Sequence, residues 1–481
     1  MLETIEKIKD LIEILGKENV ITDPAVTAEY AVDMVAPKAI VFPKNTNQVA
    51  DVVKFSNREN LSIVARGSGT KMAMGNPPQK LDLVVCTARM NHMLDVDTSN
   101  LTMTVEAGVK FRDIQARLAT QEDRCYLPLE DLGAESDEII CSDRSHSGCF
   151  IPIDPPYANN ATIGGIIATN STGPRRLLYN LPRDSIIGIR YVAPNGDIIG
   201  SGGRTVKNVS GYDVSILMVG SMGTLGILCE MTMRLLPLPE KMQTLLVSFA
   251  SFAEAYAFAE RIFETSLLPA AVEIMNGEAY NQLAMDDIPE FDSNGYVAAV
   301  AFETFIPAVN RMYSEILEMA NGSGAGGDAV LEEDDHRSFW LAISNLSAAV
   351  DKKFSGIIKA KLNYPLSLGK SIIDSGESIF SKANLDYYFQ THAGSGICHT
   401  GLLIDENDTA ATDNAVTALG QLLERCREID GNLVIQSAPA DVKDKLKIWG
   451  DIGSSFVIMK RLKNQLDPTG MMSPGRFVEG L

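Results

Sequence analysis

Three glycine-rich segments in fixed order constrain this chain more than any other feature. The first, Leu61 to Thr70 (LSIVARGSGT), reads as a strand running into Arg66-Gly67-Ser68-Gly69-Thr70. Glycines there let successive backbone N–H groups curl around an anion without Cβ obstruction, which is a nest suited to pyrophosphate. The second, Asp154 to Asn170 (DPPYANNATIGGIIATN), is stiffened by Pro155 and Pro156 and carries Gly164 and Gly165. The third, Lys207 to Ile227, ends in Gly223-Thr224-Leu225-Gly226-Ile227. One such loop is an ordinary turn signal; three in series describe the parts of one cradle. Neither a G-x-G-x-x-G after a strand nor a Walker A sequence occurs, which argues against NAD and ATP as primary ligands.

At 481 residues the chain is too long for a single core and suggests two or three domains. With 62 acidic against 42 basic residues the net charge is −20, and no basic run offers a stripe for phosphate backbones, so nucleic acid is not the expected partner. The seven cysteines are scattered without any C-x-x-C pair, which indicates neither a disulfide framework nor an iron–sulfur site in this chain. The first residues alternate charge with apolar side chains and no apolar run reaches membrane length, so the expectation is a cytoplasmic protein with no membrane span, peripheral to the inner membrane only through partners.

Apolar spacing at Ile5, Ile8, Leu11, Ile12 and Leu15 predicts an opening helix stopped at Gly16. Ala39 to Phe42 (strand), Asn47 to Glu59 (helix) and Leu61 to Ala65 (strand) predict a β-α-β unit feeding the first loop. Leu81 to Val85 and Thr102 to Ala107 read as strands, and Phe111 to Thr120 as a helix. Glu130 to Cys149 is acidic and irregular, an insertion just before the second motif and a candidate docking element. Beyond Pro239, strands at Leu245 to Phe249, Ala271 to Met275 and Tyr296 to Phe302 alternate with helices at Phe252 to Thr265 and Asn310 to Ala320, the rhythm of an α+β sheet domain. Gly322 to Gly327 reads as a flexible loop. Further strands at Leu385 to Gln390 and Leu433 to Gln436 precede a helix at Phe456 to Leu466.

Taken together, these motifs resemble the FAD-linked 2-hydroxy-acid dehydrogenases of the vanillyl-alcohol oxidase and p-cresol methylhydroxylase superfamily, from about Ala36 to the C-terminus. The resemblance implies an α+β fold: a two-lobed PCMH-type FAD-binding domain over 36–239 with the insertion at 130–149, following an N-terminal helical segment over 1–35. A cap domain with an antiparallel sheet would span 240–448, and 449–481 would return to the FAD domain through the closing motif Ser473-Pro474-Gly475-Arg476-Phe477. It places the FAD diphosphate over Arg66, Gly67, Ser68, Gly69, Thr70, Gly75 and Asn76. Pro155, Thr162, Gly164, Gly165 and Asn170 would lie along the isoalloxazine and ribityl chain, and Gly223, Gly226 and Ile227 along the adenine and pyrophosphate. Ser221-Met222-Gly223 stands where relatives often carry Ser-Glu-Gly. Thr70 stands where covalent members carry a histidine, which implies noncovalent FAD.

The catalytic pattern departs from the family. Its metal motif H-x-G-D-G-N-x-H is matched by His392-Ala393-Gly394-Ser395-Gly396-Ile397-Cys398-His399 at the histidines and glycines alone, and Ser437-Ala438-Pro439 replaces the segment that supplies a glutamate and the base. His392 and His399 are therefore the candidate bases and the candidate ligands of an incomplete zinc or iron site. Arg337 and Lys361 are candidate cations for a substrate carboxylate. Gly173-Pro174-Arg175-Arg176, Lys207 to Asp213, Ala438-Pro439-Ala440 and Met459 to Lys463 look most like the FAD-binding subunit of bacterial glycolate oxidase. That implies a second flavoprotein dehydrogenase subunit and an iron–sulfur subunit as partners, with a small 2-hydroxy acid as substrate of the complex. The alternatives are a self-sufficient D-2-hydroxy-acid dehydrogenase and a homologue without redox activity.

Overall fold

The computed structural model describes residues 2–122, 148–203, 214–283, 285 and 288–481. Residues 130–147 of the insertion expected over Glu130 to Cys149, and the start of the third motif, Lys207 to Asp213, lie outside the described residues.

β1 (Val20–Ile21), β2 (Ala39–Val41), β3 (Ile63–Arg66) and β4 (Leu83–Cys86) form a sheet ordered β1-β2-β4-β3. Its β2-β4 and β3-β4 pairs are parallel. Parallel neighbours need a crossover, which the Thr46–Glu59 helix supplies by burying Val49, Val52, Val53 and Phe55. Asn45 caps that helix by accepting from the Gln48 N–H, and Asn60 closes it at φ 56°. The Arg66 loop thus leaves the C-terminal end of a parallel strand, where open sheets with parallel strands place ligands.

β5 (Met93–Asp97), β6 (Thr102–Glu106), β8 (Ile186–Val192), β9 (Ile198–Gly202) and β10 (Ile227–Arg234) make a second, antiparallel sheet ordered β5-β6-β10-β8-β9. β7 (Cys149–Phe150) pairs with β11 (Leu236–Pro237) beside it. The second glycine motif forms a short helix, Ile163–Ala168, whose Ile163, Ile166 and Ile167 are buried among residues of this sheet.

The cap carries eight antiparallel strands: β12 (Lys241–Phe249), β13 (Ala271–Asn276), β14 (Tyr296–Thr304), β15 (Gly327–Glu332), β16 (Ile358–Asn363), β17 (Tyr387–His392), β18 (Ile397–Leu402) and β19 (Asn432–Ser437). They are ordered β15-β12-β14-β13-β17-β18-β16-β19. Both faces are covered. Leu245, Val247 and Phe249 join a core with the helices Phe252–Phe263, Ile306–Asn321, Gly369–Lys382 and Thr409–Arg427. Leu246 joins Phe339, Trp340 and Ile343 of the long Glu333–Lys353 helix on the other side. The glycine run expected as a loop over Gly322 to Gly327 is shorter, because Gly327 already pairs with Ser248 at the sheet edge. No helix among the described residues is long and apolar enough to cross a membrane.

After the Phe456–Leu466 helix the tail returns to the first sheet, with Met472 bridging Ile63 in parallel. Lys463, 6% exposed, fixes this return: its Nζ donates to Thr224 O, Met472 O and Asp467 Oδ2 at 2.7–2.8 Å. Lys463→Ala leaves the Asp467 carboxylate buried and two carbonyls unpaired, so it is expected to cost about 3–5 kcal/mol. Urea unfolding should show that loss, with partial recovery in the Lys463→Ala/Asp467→Ala double variant.

Candidate active site

Two adjoining cavities lie at the glycine motifs, the second of them reaching to the cap. The first is walled by Arg66, Gly67, Ser68, Gly69, Thr70, Thr162, Gly164, Gly165, Gly223, Gly226 and Ile227, so the described parts of all three motifs converge on it. Their approach is close: a Cβ on Gly67 would stand 2.0 Å from Thr162 Oγ1, which only glycine permits.

Four expected contacts fall elsewhere. Pro155 is buried behind Pro156, which forms the wall instead. Asn170, at φ 46°, is exposed, while its neighbours Thr169 and Ser171 face the cavity. Gly75 and Asn76 hold the C-terminal tail: the Asn76 N–H donates to Arg476 O at 3.0 Å, its Nδ2 to Phe477 O at 2.9 Å, and Gly75 O accepts from Lys443 Nζ at 2.9 Å.

The tail supplies a wall residue that the motifs alone did not reveal. Arg476 lines the first cavity, and its Nη2 donates at 2.6 Å to Met72 O and Met74 O. Its Nε and the Thr162 hydroxyl are buried with no hydrogen-bond partner. A cradle of glycine backbone with an unsatisfied guanidinium N–H and an unsatisfied hydroxyl fits a flavin dinucleotide, whose diphosphate and ribityl groups supply acceptors and donors. Arg66, Gly67, Ser68, Gly69, Thr70, Thr162 and Arg476 are the residues that would hold it.

The second cavity shares Thr70, Lys71 and Pro156 with the first and continues along Asp154, Tyr157, Ser344, Asp351, Lys359, Gln390, His392, His399 and Gln436. β17 and β18 bring the two histidines together, with ring centroids 5.1 Å apart. The reversal between them turns at Gly396, φ 61°, where a Cβ would meet Tyr364 O at 2.2 Å. His392 Nδ1 lies 2.7 Å from Glu273 Oε2, its cross-strand neighbour on β13, and His399 Nδ1 lies 3.0 Å from Gln436 Oε1. Burial pushes Glu273 well above the usual carboxyl range. Burial, with Arg176 and Lys361 nearby, pushes His392 down to about 3. The pair therefore holds one proton between carboxyl and imidazole and no net charge. Burial, then His392 and Lys361, also hold His399 well below its ordinary value, so it too is a neutral imidazole.

This arrangement does not fit a metal. Among the described residues no group of three His, Cys, Asp or Glu side chains is arranged to hold an ion. The expected zinc or iron site is corrected to a neutral hydrogen-bonded pair of imidazoles. Arg337 is corrected too: it lies on the long cap helix, lines neither cavity and pairs with Glu333 at 3.3 Å and with Asp334. The cations that line the second cavity are instead Lys71 and Lys359; Lys361 and Arg176 line neither cavity but act electrostatically on His392. Lys359 is committed to Asp351 at 2.6–2.7 Å and to Tyr157 OH at 2.8 Å. Lys361, opposite His399 on β16, makes no ion pair with the described residues; burial, then Arg176, bring it down to about 8.

Sequence comparisons match the FAD binding domain family over residues 37–130 and 144–202, and the C-terminal domain of FAD linked oxidases over 238–435. The glycolate oxidase subunit GlcD of Bacillus subtilis is 28% identical over 98% of this chain and 96% of its own length. The D-2-hydroxyglutarate dehydrogenase of Xanthomonas citri is 25% identical over 95% and 94%. The D-lactate dehydrogenase of Archaeoglobus fulgidus is 25% identical over 93% and 94%. In fold, the 4-ethylphenol oxidase of Gulosibacter chungangensis superposes with a TM-score of 0.73 at 17% identity, over 99% of this chain and 97% of that one. A p-cresol methylhydroxylase does so with 0.73 at 16% identity, over 98% and 96%.

Because the Thr162 hydroxyl has no partner within the protein, Thr162→Val should leave apoprotein stability unchanged while weakening FAD binding about tenfold, the worth of one hydrogen bond. Fluorescence titration of apoprotein with FAD, alongside thermal melts, checks both halves. Thr70 offers no nucleophilic ring, so acid precipitation should leave the flavin in the supernatant.

Proposed function

The chain belongs to the FAD-linked oxidases, and from that membership we propose that it oxidises the Cα–OH of a small 2-hydroxy acid to the 2-oxo acid. We further read it as one subunit of a cytoplasmic complex that hands the electrons to a second flavoprotein subunit and an iron–sulfur subunit. The observation that carries the first part is the second cavity, which opens onto the flavin cavity at Thr70, Lys71 and Pro156 and combines neutral imidazoles with the Lys71 amine. Bound FAD supplies a two-electron acceptor for the Cα hydrogen. Lys361, opposite His399 on β16, and Arg176 lie outside the cavity lining but add the positive potential that draws a substrate carboxylate, while Lys359, fixed by Asp351 and Tyr157, forms a rigid wall. His392 and His399 offer neutral ring nitrogens to orient the hydroxyl and carboxylate. The relatives support the substrate class, since they are named for glycolate, D-lactate and D-2-hydroxyglutarate. The subunit reading rests on one relative, a glycolate oxidase subunit. The matches over 37–202 and 238–435 support a division into 1–35, 36–239, 240–448 and 449–481.

Anaerobic mixing of the flavoprotein with glycolate, D-lactate or D-2-hydroxyglutarate tests this reading. One of them should bleach the flavin without any partner, and isolation of the native protein should bring iron–sulfur absorbance with it. No bleaching by any 2-hydroxy acid would reject it. Lys361→Met should raise KM about 10- to 100-fold, the loss of one nearby positive charge, with a smaller change in kcat. Lys361 is charged below pH 8 and loses its proton above it, so the wild-type KM should climb above pH 8. Lys361→Met should lack that climb.

A further inference from the structure

The hydroxyl proton needs an acceptor at the place where a substrate reaches both the flavin and the carboxylate cations. Among the described residues only Thr70, Lys71 and Pro156 wall both cavities, and of these Lys71 alone carries a titratable group. His392 and His399 line the second cavity alone. We propose that Lys71, as a neutral amine, is the base that removes the hydroxyl proton during oxidation of the 2-hydroxy acid.

The surrounding hydrogen bonds leave the amine free for that task. Lys71 Nζ lies 2.5 Å from Ser171 Oγ, Ser171 Oγ lies 2.5 Å from Thr169 Oγ1, and Thr169 Oγ1 donates to Gly165 O at 2.8 Å. Because the last hydroxyl donates to a carbonyl, each earlier group donates onward, Lys71 N–H to Ser171 and Ser171 O–H to Thr169. The Nζ lone pair is then left for the substrate. The titratable and charged groups around it are Lys359 and Lys361 from β16, the neutral His399 from β18, Asp154 and Asp351 on the second cavity, and Arg66 and Arg476 on the first. Asp351 is taken by Lys359, and Asp154 by the Gly173 and Arg175 N–H groups, so neither carboxylate pairs with Lys71. Burial, then Lys361 and Lys359, bring its amine down to about 7, near a working pH, whereas an imidazole held at about 3 is a poor proton acceptor.

In the step, the O–H bond breaks, its proton forms the third N–H of an ammonium at Lys71, and its electron pair becomes the carbonyl π bond. Bound FAD would supply the oxidant that accepts the Cα hydrogen with its two electrons. Lys71 returns the proton to solvent after the 2-oxo acid departs.

The proposal rests on the hydroxy-acid reading, and two measurements on the holoenzyme keep their failures apart. Reductive methylation with formaldehyde across pH, mapped by mass spectrometry, should show Lys71 labelled with a midpoint near 7, and excess 2-hydroxy acid should protect it. Stopped-flow flavin reduction should rise with pH through the same midpoint. Lys71→Gln should keep its FAD, lose about 100-fold or more in reduction rate and lose the inflection. His399→Gln should lower the rate without moving the inflection. Labelling of Lys71 only in the range of ordinary lysines, or rapid reduction of Lys71→Gln with the wild-type inflection, overturns the assignment. Failure of every 2-hydroxy acid to bleach the wild-type flavin overturns the proposed function and this step with it.

Discussion

Everything at the site depends on Glu303, a fully buried carboxylate on the cap sheet that holds the cap against the flavin-binding half. Its Oε1 accepts from Arg175 Nε at 2.5 Å and meets His336 Nε2 at 3.0 Å, and its Oε2 accepts from Tyr179 OH at 2.7 Å. Burial alone would raise its pKa, but Arg175 and His336 reverse that and bring it to about 2. A carboxylate depressed in this way contributes stability above its unfolded pKa and loses it only as pH falls toward 2. The lock therefore stays closed across the range in which Lys71 and Lys361 titrate. Arg175 follows the second glycine motif, and its backbone N–H donates to Asp154 at the start of that motif. One buried charge cluster thus sets where the two cavities meet.

A second clamp sets the loop that carries Lys71. Lys443 Nζ donates to Ala73 O and Gly75 O while pairing with Asp33 at 2.7 Å, and Arg476 takes the carbonyls of Met72 and Met74. The cap and the tail therefore grip the same short segment from two sides. The closing motif thus reads as a structural part of the flavin site: Arg476 both clamps the loop and leaves a buried N–H facing the first cavity.

Much of this was legible in the sequence where local chemistry decides the structure. Glycine spacing marked the described parts of the three cradle segments, the β-α-β unit followed from the apolar spacing of Val49, Val52, Val53 and Phe55 between two strands, and the last helix falls where its spacing put it. Misplacements came where neighbouring residues differ only in which way they point, as with Asn170 against Thr169 and Ser171, or Pro155 against Pro156. The stretch Gly327–Asn363 was obscure for another reason. β15 is an edge strand with alternate residues in solvent, the following helix opens on an acidic run, and β16 carries lysines that a sequence pattern assigns to the surface. The Glu273–His392 contact was invisible because it depends on strand register between distant segments. Lys71 stood next to a recognised motif, but its environment comes from β16, β18 and the turn at Ser171.

The central claim is that the two cavities form one redox site joined at Thr70, Lys71 and Pro156. A crystal structure of the flavin-loaded protein with a bound 2-oxo acid tests it most directly. FAD is expected along the Arg66 loop and the Thr162 turn, with the oxo acid in the second cavity, its carboxylate toward the Lys361 side and its carbonyl oxygen within hydrogen-bond reach of Lys71 Nζ. An oxo acid bound elsewhere, or a flavin whose ring does not face the junction, would contradict it.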